Sequence, residues 1–318
     1  MKIIENLKCI REPVCISLGN FDGLHIAHRR LIEQTVQMSR ENNIASAILT
    51  FSPHPKEYFF GRGPEQILPH HIKDKLLTQM GVDYLVILPF DAQMATMPPE
   101  KFVKEILIDR FHAQCIFAGY NYHFGNKQMG NVFLLQEMQQ EYNIKVWVQN
   151  EIRINNISVS STAVRDYIKE GKVHIAGALL GYYPLIEGSV VRGNKLGTSM
   201  GFPTANLDLQ ENLLVPKEGV YIGYVKFSGN LYKSLINVGT KPTIGAGFKK
   251  NIEAYMLDFK GDLYDKMIQV CFTERIRDEM KFDSLHDLMA QMHLDEQKAR
   301  HQAFPTRSNI ALFPESLY

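Results

Sequence analysis

Across the first 150 residues, short β-rich runs alternate with segments of helical period. Val14–Leu18, Ala45–Phe51, Tyr84–Leu88, Gln114–Ala118 and Lys145–Val148 read as strands, and Arg29–Asn42, Ile72–Met80, Pro99–Phe111 and Val132–Tyr142 read as helices. That alternation predicts a mostly parallel sheet covered by helices, an α/β Rossmann-like domain. A further helix is expected from Ser161 to Glu170, capped by Ser160 or Ser161 and stopped at Gly171. After about Tyr183 the pattern changes. Tyr224–Phe227 and Leu231–Val238 flank Ser228-Gly229-Asn230, and Tyr255–Phe259 and Leu263–Phe272 flank Lys260-Gly261-Asp262. Both are hairpin signals, so the second half is expected to be a small antiparallel β-barrel. A C-terminal amphipathic helix over Ser284–Ala303 follows, with Leu285, Leu288, Met289, Met292 and Ala299 near helical spacing. The boundary is expected within Gly181–Glu187, giving domains 1–182 and 183–318.

A length of 318 residues supports two cores, and 45% hydrophobic with 22% charged residues is ordinary globular composition. The net charge of +1 divides almost evenly between the halves, which argues against a nucleic-acid partner. Cys9, Cys15, Cys115 and Cys271 form no CxxC pair and read as reduced thiols, mostly in the core. The start of the chain lacks the long apolar run of a signal peptide, and other apolar runs are too short to span a bilayer. A cytoplasmic protein without a membrane partner is the expectation.

Candidate chemistry begins where the first strand ends. The segment SLGNFDGLHIAHRRLI passes through Gly19 and Gly23 into a helix carrying His25 and His28. A strand-to-helix junction of this kind binds phosphate readily, and two histidines there can stabilise charge developing on it. Surface histidines, or two ligands of a zinc site, are the alternatives; no obvious Cys or His cluster completes a zinc tetrahedron. FSPHP follows the second strand, GYNYHFGNKQMG the fourth, and SSTAVR opens a helix. Ser161, Thr162 and Arg165 can surround a phosphate chain, although a capped helix with a solvated Arg would look the same. There is no GxxxxGK[ST] loop and no GxGxxG after the first strand.

GNFDGLHIAH resembles the nucleotidylyltransferase signature of bacterial FAD synthetases, with the other motifs in that family's order. The resemblance implies transfer of AMP from ATP to FMN with release of pyrophosphate, by in-line attack of the FMN phosphate helped by Mg²⁺. It places ATP and phosphate contacts at Gly19, Asn20, Phe21, Asp22, His25, His28, Asn121, Ser161, Thr162 and Arg165. The family reads H-x-G-H where this chain has Ala27, a methyl group expected to narrow the phosphate pocket. His123 also stands where other residues, including Arg, are common.

In the second half, GSVVRGNKLGTSMGFPTANL carries Gly193, Gly197 and Gly201 before Phe202-Pro203-Thr204-Ala205-Asn206. Glycine loops can curl amides around phosphate, and Thr204 and Asn206 offer oxygen ligands for Mg²⁺; ordinary β-turns are the plain alternative. With PKEGVY, INVGTKPT, EAYMLDF and RIRDEMKF, this stretch resembles the riboflavin kinase module of bifunctional FAD synthetases. The resemblance implies Mg²⁺ and ATP phosphates on Thr204 and Asn206, and Glu253 as general base for the riboflavin hydroxyl. Arg277, Lys281 and Phe282 are candidate flavin contacts, and TIGAGFKK, with Gly245 and Gly247, is expected to be a flap over the substrates. The leading expectation is a bifunctional enzyme making FMN and then FAD. A member retaining one activity and a non-enzymatic flavin-binding regulator are the rivals.

Overall fold

In the computed structural model, the structure describes residues 1–5, 8–192, 201–209, 212–243, 247–303 and 311–314. Two compact units emerge: Met1–Glu65 with His70–Val159, and Gln66–Pro69 with residues from Ser160 onward.

The first unit holds a six-stranded parallel sheet. Its strands are β1 (Lys2–Glu5), β2 (Val14–Leu18), β3 (Ala45–Ser52), β4 (Tyr84–Pro89), β5 (Ala113–Gly119) and β6 (Lys145–Gln149). They lie in the order β1-β4-β3-β2-β5-β6. The strands expected from β-rich runs form within a residue or two of their expected ends. The edge strand β1 was not expected, because four half-polar residues pairing only with β4 leave no pattern to read. Helix α1 (Ile26–Glu41) starts earlier than its apolar period suggests, because the His25 ring caps it by accepting from the His28 N–H. The segment Pro99–Phe111 begins as an α-helix and widens into a π-helical stretch over Phe102–Ile108. Around the sheet, Ile16, Leu49, Val86, Leu107, Phe111 and Ile116 are fully buried.

Because β2 connects through α1 to β3 on one side while β5 lies on the other, the order in which strands are added reverses between the parallel neighbours β2 and β5. Ligands in open α/β sheets bind at the carboxyl ends of strands at such a switch point.

The second unit is a closed barrel of β7 (Leu185–Val191), β8 (Thr204–Leu209), β9 (Gly219–Phe227), β10 (Asn230–Thr243), β11 (Gly247–Met256) and β12 (Met267–Arg277). Its order is β7-β8-β11-β10-β9-β12, closing back on β7. The expected hairpin at Ser228-Gly229-Asn230 joins β9 to β10. The second expected hairpin is overturned. β11 pairs with β8 and β10, whereas β12 pairs with β9 and β7. With both edges of β11 taken, the chain from 257 to 266 must cross to the opposite side, where β12 closes the barrel.

Side-chain alternation sorts the barrel into an interior and an outer face. Ala205, Leu207, Ile236, Val238, Ile252 and Ala254 fill the interior. Val220, Ile222 and Leu235 form an outer cluster with Leu257, which follows β11, and with Ala299 of helix α4 (Leu285–His301). The apolar face expected for that helix is only partly used: Leu285 is 61% exposed, and the buried residues are Asp295 and Ala299. Preceding the barrel are helices α2 (Ser161–Lys169) and α3 (Val173–Leu180). The second was not expected, because VHIAGALL is apolar nearly throughout and shows no helical stripe. Cys15, Cys115 and Cys271 are buried free thiols, and Cys9 is exposed.

Candidate active sites

Three loops meet the carboxyl edge of adjacent strands β3, β2 and β5. The Gly19–Leu24 loop is bent sharply, with positive φ at Phe21 (51°), Gly23 (76°) and Leu24 (40°). Two of these are non-glycine residues in the left-handed region, local strain of the kind that collects at functional loops. Burial holds it in place: Phe21 and Leu24 are essentially inaccessible, and the Leu24 carbonyl accepts from Arg29 Nη1 at 2.8 Å. The His25 and His28 rings stack at 3.5 Å between centroids, with Phe21 5.2 Å from His28. The two histidines thus sit together at the start of α1.

The β3 loop approaches the same bend. Thr50 Oγ1 donates to the Asn20 carbonyl at 3.4 Å, and the Asn20 amide group lies 3.1 Å from His54 Nε2. His54 Nδ1 accepts from the Lys56 N–H, so a neutral ring carries its proton on Nε2 and needs the amide oxygen of Asn20 facing it. From β5, the exposed Asn121 folds back over Gly119, and its carbonyl is 3.0 Å from His123 Nδ1. Ala27 is 9% exposed, and its carbonyl accepts from Gln149 Nε2 at 2.9 Å. Its methyl is therefore largely covered.

Sequence reasoning passed over several neighbours. Lys73 is 9% exposed; burial pushes its ammonium below the ordinary lysine value, opposed by the nearby carboxylates of Asp74 and Asp22. Only its helical position was visible in sequence, not the acid it faces. Directly after His54, the short helix Pro55–Phe60 displays Tyr58, Phe59 and Phe60 at 41%, 59% and 77% exposure. Consecutive aromatics at an exposed helix end were the available signal.

Ser161, Thr162 and Arg165 lie in the first turns of α2, which groups with the barrel unit. Ser160 rather than Ser161 is the cap, its side chain accepting from the Ala163 N–H at 3.2 Å.

On the barrel, the register assembles the second site. Glu253 on β11 pairs with Asn206 of β8 on one side and Asn237 of β10 on the other. Alternation puts all of them on the outer face, opposite Ala205, Ile236 and Ala254. Thr204 lies two residues along from Asn206 and shares its face. Glu253 Oε1 accepts from Asn251 Nδ2 at 2.9 Å, and Asn237 Nδ2 donates to Glu279 Oε1 at 3.1 Å. Gly239 allows that approach, because a Cβ there would stand 2.5 Å from Glu279 Oε1. Glu279 and Asn237 were further residues that sequence reasoning did not single out.

Arg277 ends β12 with its guanidinium on Asp295, while Lys281 is exposed and Phe282 half-buried in the loop that follows. Gly193, Gly197 and Gly245 fall outside the described residues; Gly201 is described, with φ +85°. The expected flap is the connection between β10 and β11, whose last described pair is Thr243 with Gly247. The described residues hold no cluster of His, Cys, Asp and Glu able to cage a metal. The hydroxyl of Thr204 and the amide oxygen of Asn206 are nevertheless hard oxygen donors of the kind that bind Mg²⁺ together with substrate phosphates.

A strand-to-helix loop at the switch point of a parallel sheet, followed by a closed barrel with polar residues gathered on one outer face, is the two-domain architecture that the comparisons identify as a transferase. Family models agree: FAD synthetase matches residues 8–163, and riboflavin kinase matches 180–303. Similar proteins include the bifunctional riboflavin kinase/FMN adenylyltransferase of Buchnera aphidicola (32% identity, 92% of this chain and 95% of that one). That of Escherichia coli K12 is 33% identical over 93% of this chain and 95% of its own. A Streptococcus pneumoniae crystal structure, described as a macrolide-efflux protein, matches with a TM-score of 0.86 at 28% identity, covering 95% of this chain and 99% of that one. No helix among the described residues is long and apolar enough to cross a membrane. The chain belongs to the bifunctional riboflavin kinase/FMN adenylyltransferase family, carrying both domains and with them both steps of FAD biosynthesis.

Proposed function

We propose that the two reactions run on the residues brought together above: FMN adenylylation at the β2–α1 loop, and riboflavin phosphorylation on the outer face of the barrel around Glu253. We assign the first to residues 1–182 and the second to 183–318. The FAD synthetase match extends to 163 and the kinase match starts at 180, and α2, with its phosphate-binding candidates, lies at that junction although it groups with the barrel.

At the adenylyltransferase, His25 and His28 polarise the ATP phosphates, with the bend Gly19, Asn20, Phe21 and Asp22 supplying shape. Asn121 contacts the nucleotide, and Ser161, Thr162 and Arg165 form a second phosphate clamp. The FMN phosphate attacks the α-phosphorus in line, and alignment with charge stabilisation carries the step without a covalent nucleophile. The exposed Tyr58, Phe59 and Phe60 offer a flat apolar surface suited to the flavin ring.

At the kinase, the Glu253 carboxylate takes the proton of the riboflavin 5′-hydroxyl as that oxygen attacks the γ-phosphorus. Thr204 and Asn206 hold Mg²⁺, and the glycines at 193, 197 and 201 belong to the phosphate loop. When bound, the ion neutralises phosphate charge as the γ-phosphoryl group moves. Arg277, Lys281 and Phe282 shape the flavin side. ATP, riboflavin and FMN are the small-molecule partners, and the cytoplasm is the proposed location.

The observation that carries this reading is the register, which sets Asn206, Glu253 and Asn237 side by side on one face. Purified full-length protein with riboflavin, ATP and Mg²⁺, sampled over time and resolved by chromatography, should show FMN rising before FAD. Absence of both products would overturn the proposal.

A further inference from the structure

Asp295 is an unusual residue for a helix to bury. It is one of two buried residues on α4 and 5% exposed, and a carboxylate removed from water is costly unless paired. The pairing here is close. Arg277 Nη2 and Nε reach Asp295 Oδ2 at 2.7 and 3.0 Å, and Gln291 Nε2 donates to Oδ1 at 2.9 Å. Other ties of the helix are wetter: Arg300 to Asp258 joins side chains 43% and 75% exposed, a class of pair that contributes little. An apolar pair of similar volume would anchor the helix at least as well as the buried ion pair. What the fork of Arg277 adds is direction.

That direction points at the kinase site. Arg277 is the last residue of β12, and its Nη1 donates to the Asp278 carbonyl at 3.0 Å. Arg275 Nη2 holds Asp278 Oδ1 at 2.6 Å, and the next residue, Glu279, accepts from Asn237, the register neighbour of Glu253. The strand order β8-β11-β10 puts Asn206 and Asn237 on opposite sides of Glu253. With phosphates on the Asn206 side, in-line transfer puts the attacking alcohol on the Asn237 side, where the 278–282 segment lies.

We propose that Asp295 is a positioning residue for riboflavin phosphorylation, acting through Arg277 to hold the 278–282 segment on the flavin side of Glu253. The inference rests on the kinase site proposed above.

The test uses the full-length chain with Asp295→Asn, Arg277→Lys and the double variant, measuring KM for riboflavin and ATP, kcat, and FMN-to-FAD conversion. Loss of positioning should raise the riboflavin KM about tenfold in each single variant and leave the ATP KM within about twofold. The double variant should be no worse than either single, because both substitutions break one unit. FMN-to-FAD conversion should be unchanged. An unaltered riboflavin KM in Asp295→Asn overturns the inference, as does a roughly hundredfold additive rise in the double variant. So does a fall in kcat with both KM values intact, which marks fewer folded molecules. If Asp295→Asn does not fold, Arg277→Lys, which keeps a cation beside Asp295, is judged by the same riboflavin-to-ATP contrast. A parent chain that makes no FMN refutes the kinase reading itself, whereas a parent that makes FMN with variants unchanged refutes only the positioning role.

Discussion

Replacing Glu253 with Gln isolates one atom's chemistry. The side chain is half-buried in the middle of β11, between Asn206 and Asn237, and its Oε1 accepts from Asn251 Nδ2 at 2.9 Å. Glutamine has the same heavy-atom shape and retains an oxygen for Asn251, so the strand pairing and packing should survive. The stability cost should stay within about 1 kcal/mol. What disappears is the ability to accept a proton. A positioned general base contributes about 10²–10⁴ in rate, or about 3–5.5 kcal/mol of barrier. FMN formation from riboflavin should therefore fall by about 10²–10⁴ in kcat, with the ATP KM shifted less than about threefold. The assay is chromatographic separation of flavins from one protein preparation given riboflavin in one tube and FMN in another. FAD formation from added FMN serves as the internal control and should be unaffected. If FMN formation stays within about threefold of the parent, Glu253 is not the base, and the phosphoryl transfer proceeds by alignment and charge neutralisation alone.

His28→Ala should reverse that pattern, lowering FAD formation by about 10²-fold, the scale for loss of one oriented donor, while riboflavin phosphorylation continues; equal loss of both reactions would refute the division of labour. Ala27→Gly should alter FAD formation less than about twofold and cost about 1 kcal/mol of stability, since the methyl is already covered and sits in the first turn of α1; a several-fold gain in rate would show that the methyl obstructs the phosphates. At Asp83, burial raises the carboxyl, but hydrogen bonds from Arg40 and Ser46 outweigh it and hold the group below its ordinary value. Its stabilising contribution is thus full above the unfolded carboxylate value, about 4, and is lost as pH falls through the lower folded value. Asp83→Asn should remove that acid-range slope from urea melts, and an unchanged slope would refute the assignment. Stepwise chelation of Mg²⁺ should slow FMN formation at a lower chelator concentration than FAD formation from FMN; the opposite order would refute the difference in built-in positive groups between the two sites.

The parallel sheet was readable because buried strands such as Val14–Leu18 and Ala45–Ser52 are bounded by turn signals and separated by amphipathic helices. The barrel was readable as a class but not in its pairing. Lys260-Gly261-Asp262 is local turn chemistry, whereas the partners of β11 are fixed by closure of all six strands, which no window of sequence contains. The candidate sites divide in the same way. His25 and His28 share a helix start and could be found from spacing. The meeting of Asn20 with His54, or of Asn237 with Glu279, depends on residues 34 and 42 positions apart. Arg277 illustrates the limit best: its motif indicated the kinase face, but the buried Asp295 that holds its guanidinium appears in sequence only as one acid on an exposed-looking helix.

The near-zero net charge leaves attraction of anionic substrates to local groups, and the two sites differ in what they supply. Around the β2–α1 loop are His25, His28 and the amide end of a 16-residue helix, with the buried Lys73 near enough to Asp22 for their charges to interact. Helix amides and imidazole N–H groups donate directly to phosphate oxygens, so part of the charge stabilisation is built into the protein. Around Glu253 the described neighbours include Asn206, Asn237, Asn251 and a second carboxylate, Glu279. Two carboxylates repel a triphosphate at short range, and amides offset only part of that repulsion. A divalent cation accompanying the phosphates, as proposed for Thr204 and Asn206, would offset that repulsion. On that proposal, removal of Mg²⁺ should slow the kinase before the adenylyltransferase, and Thr204 and Asn206, neutral oxygen donors on the strand beside Glu253, suit the ion better than further acids would.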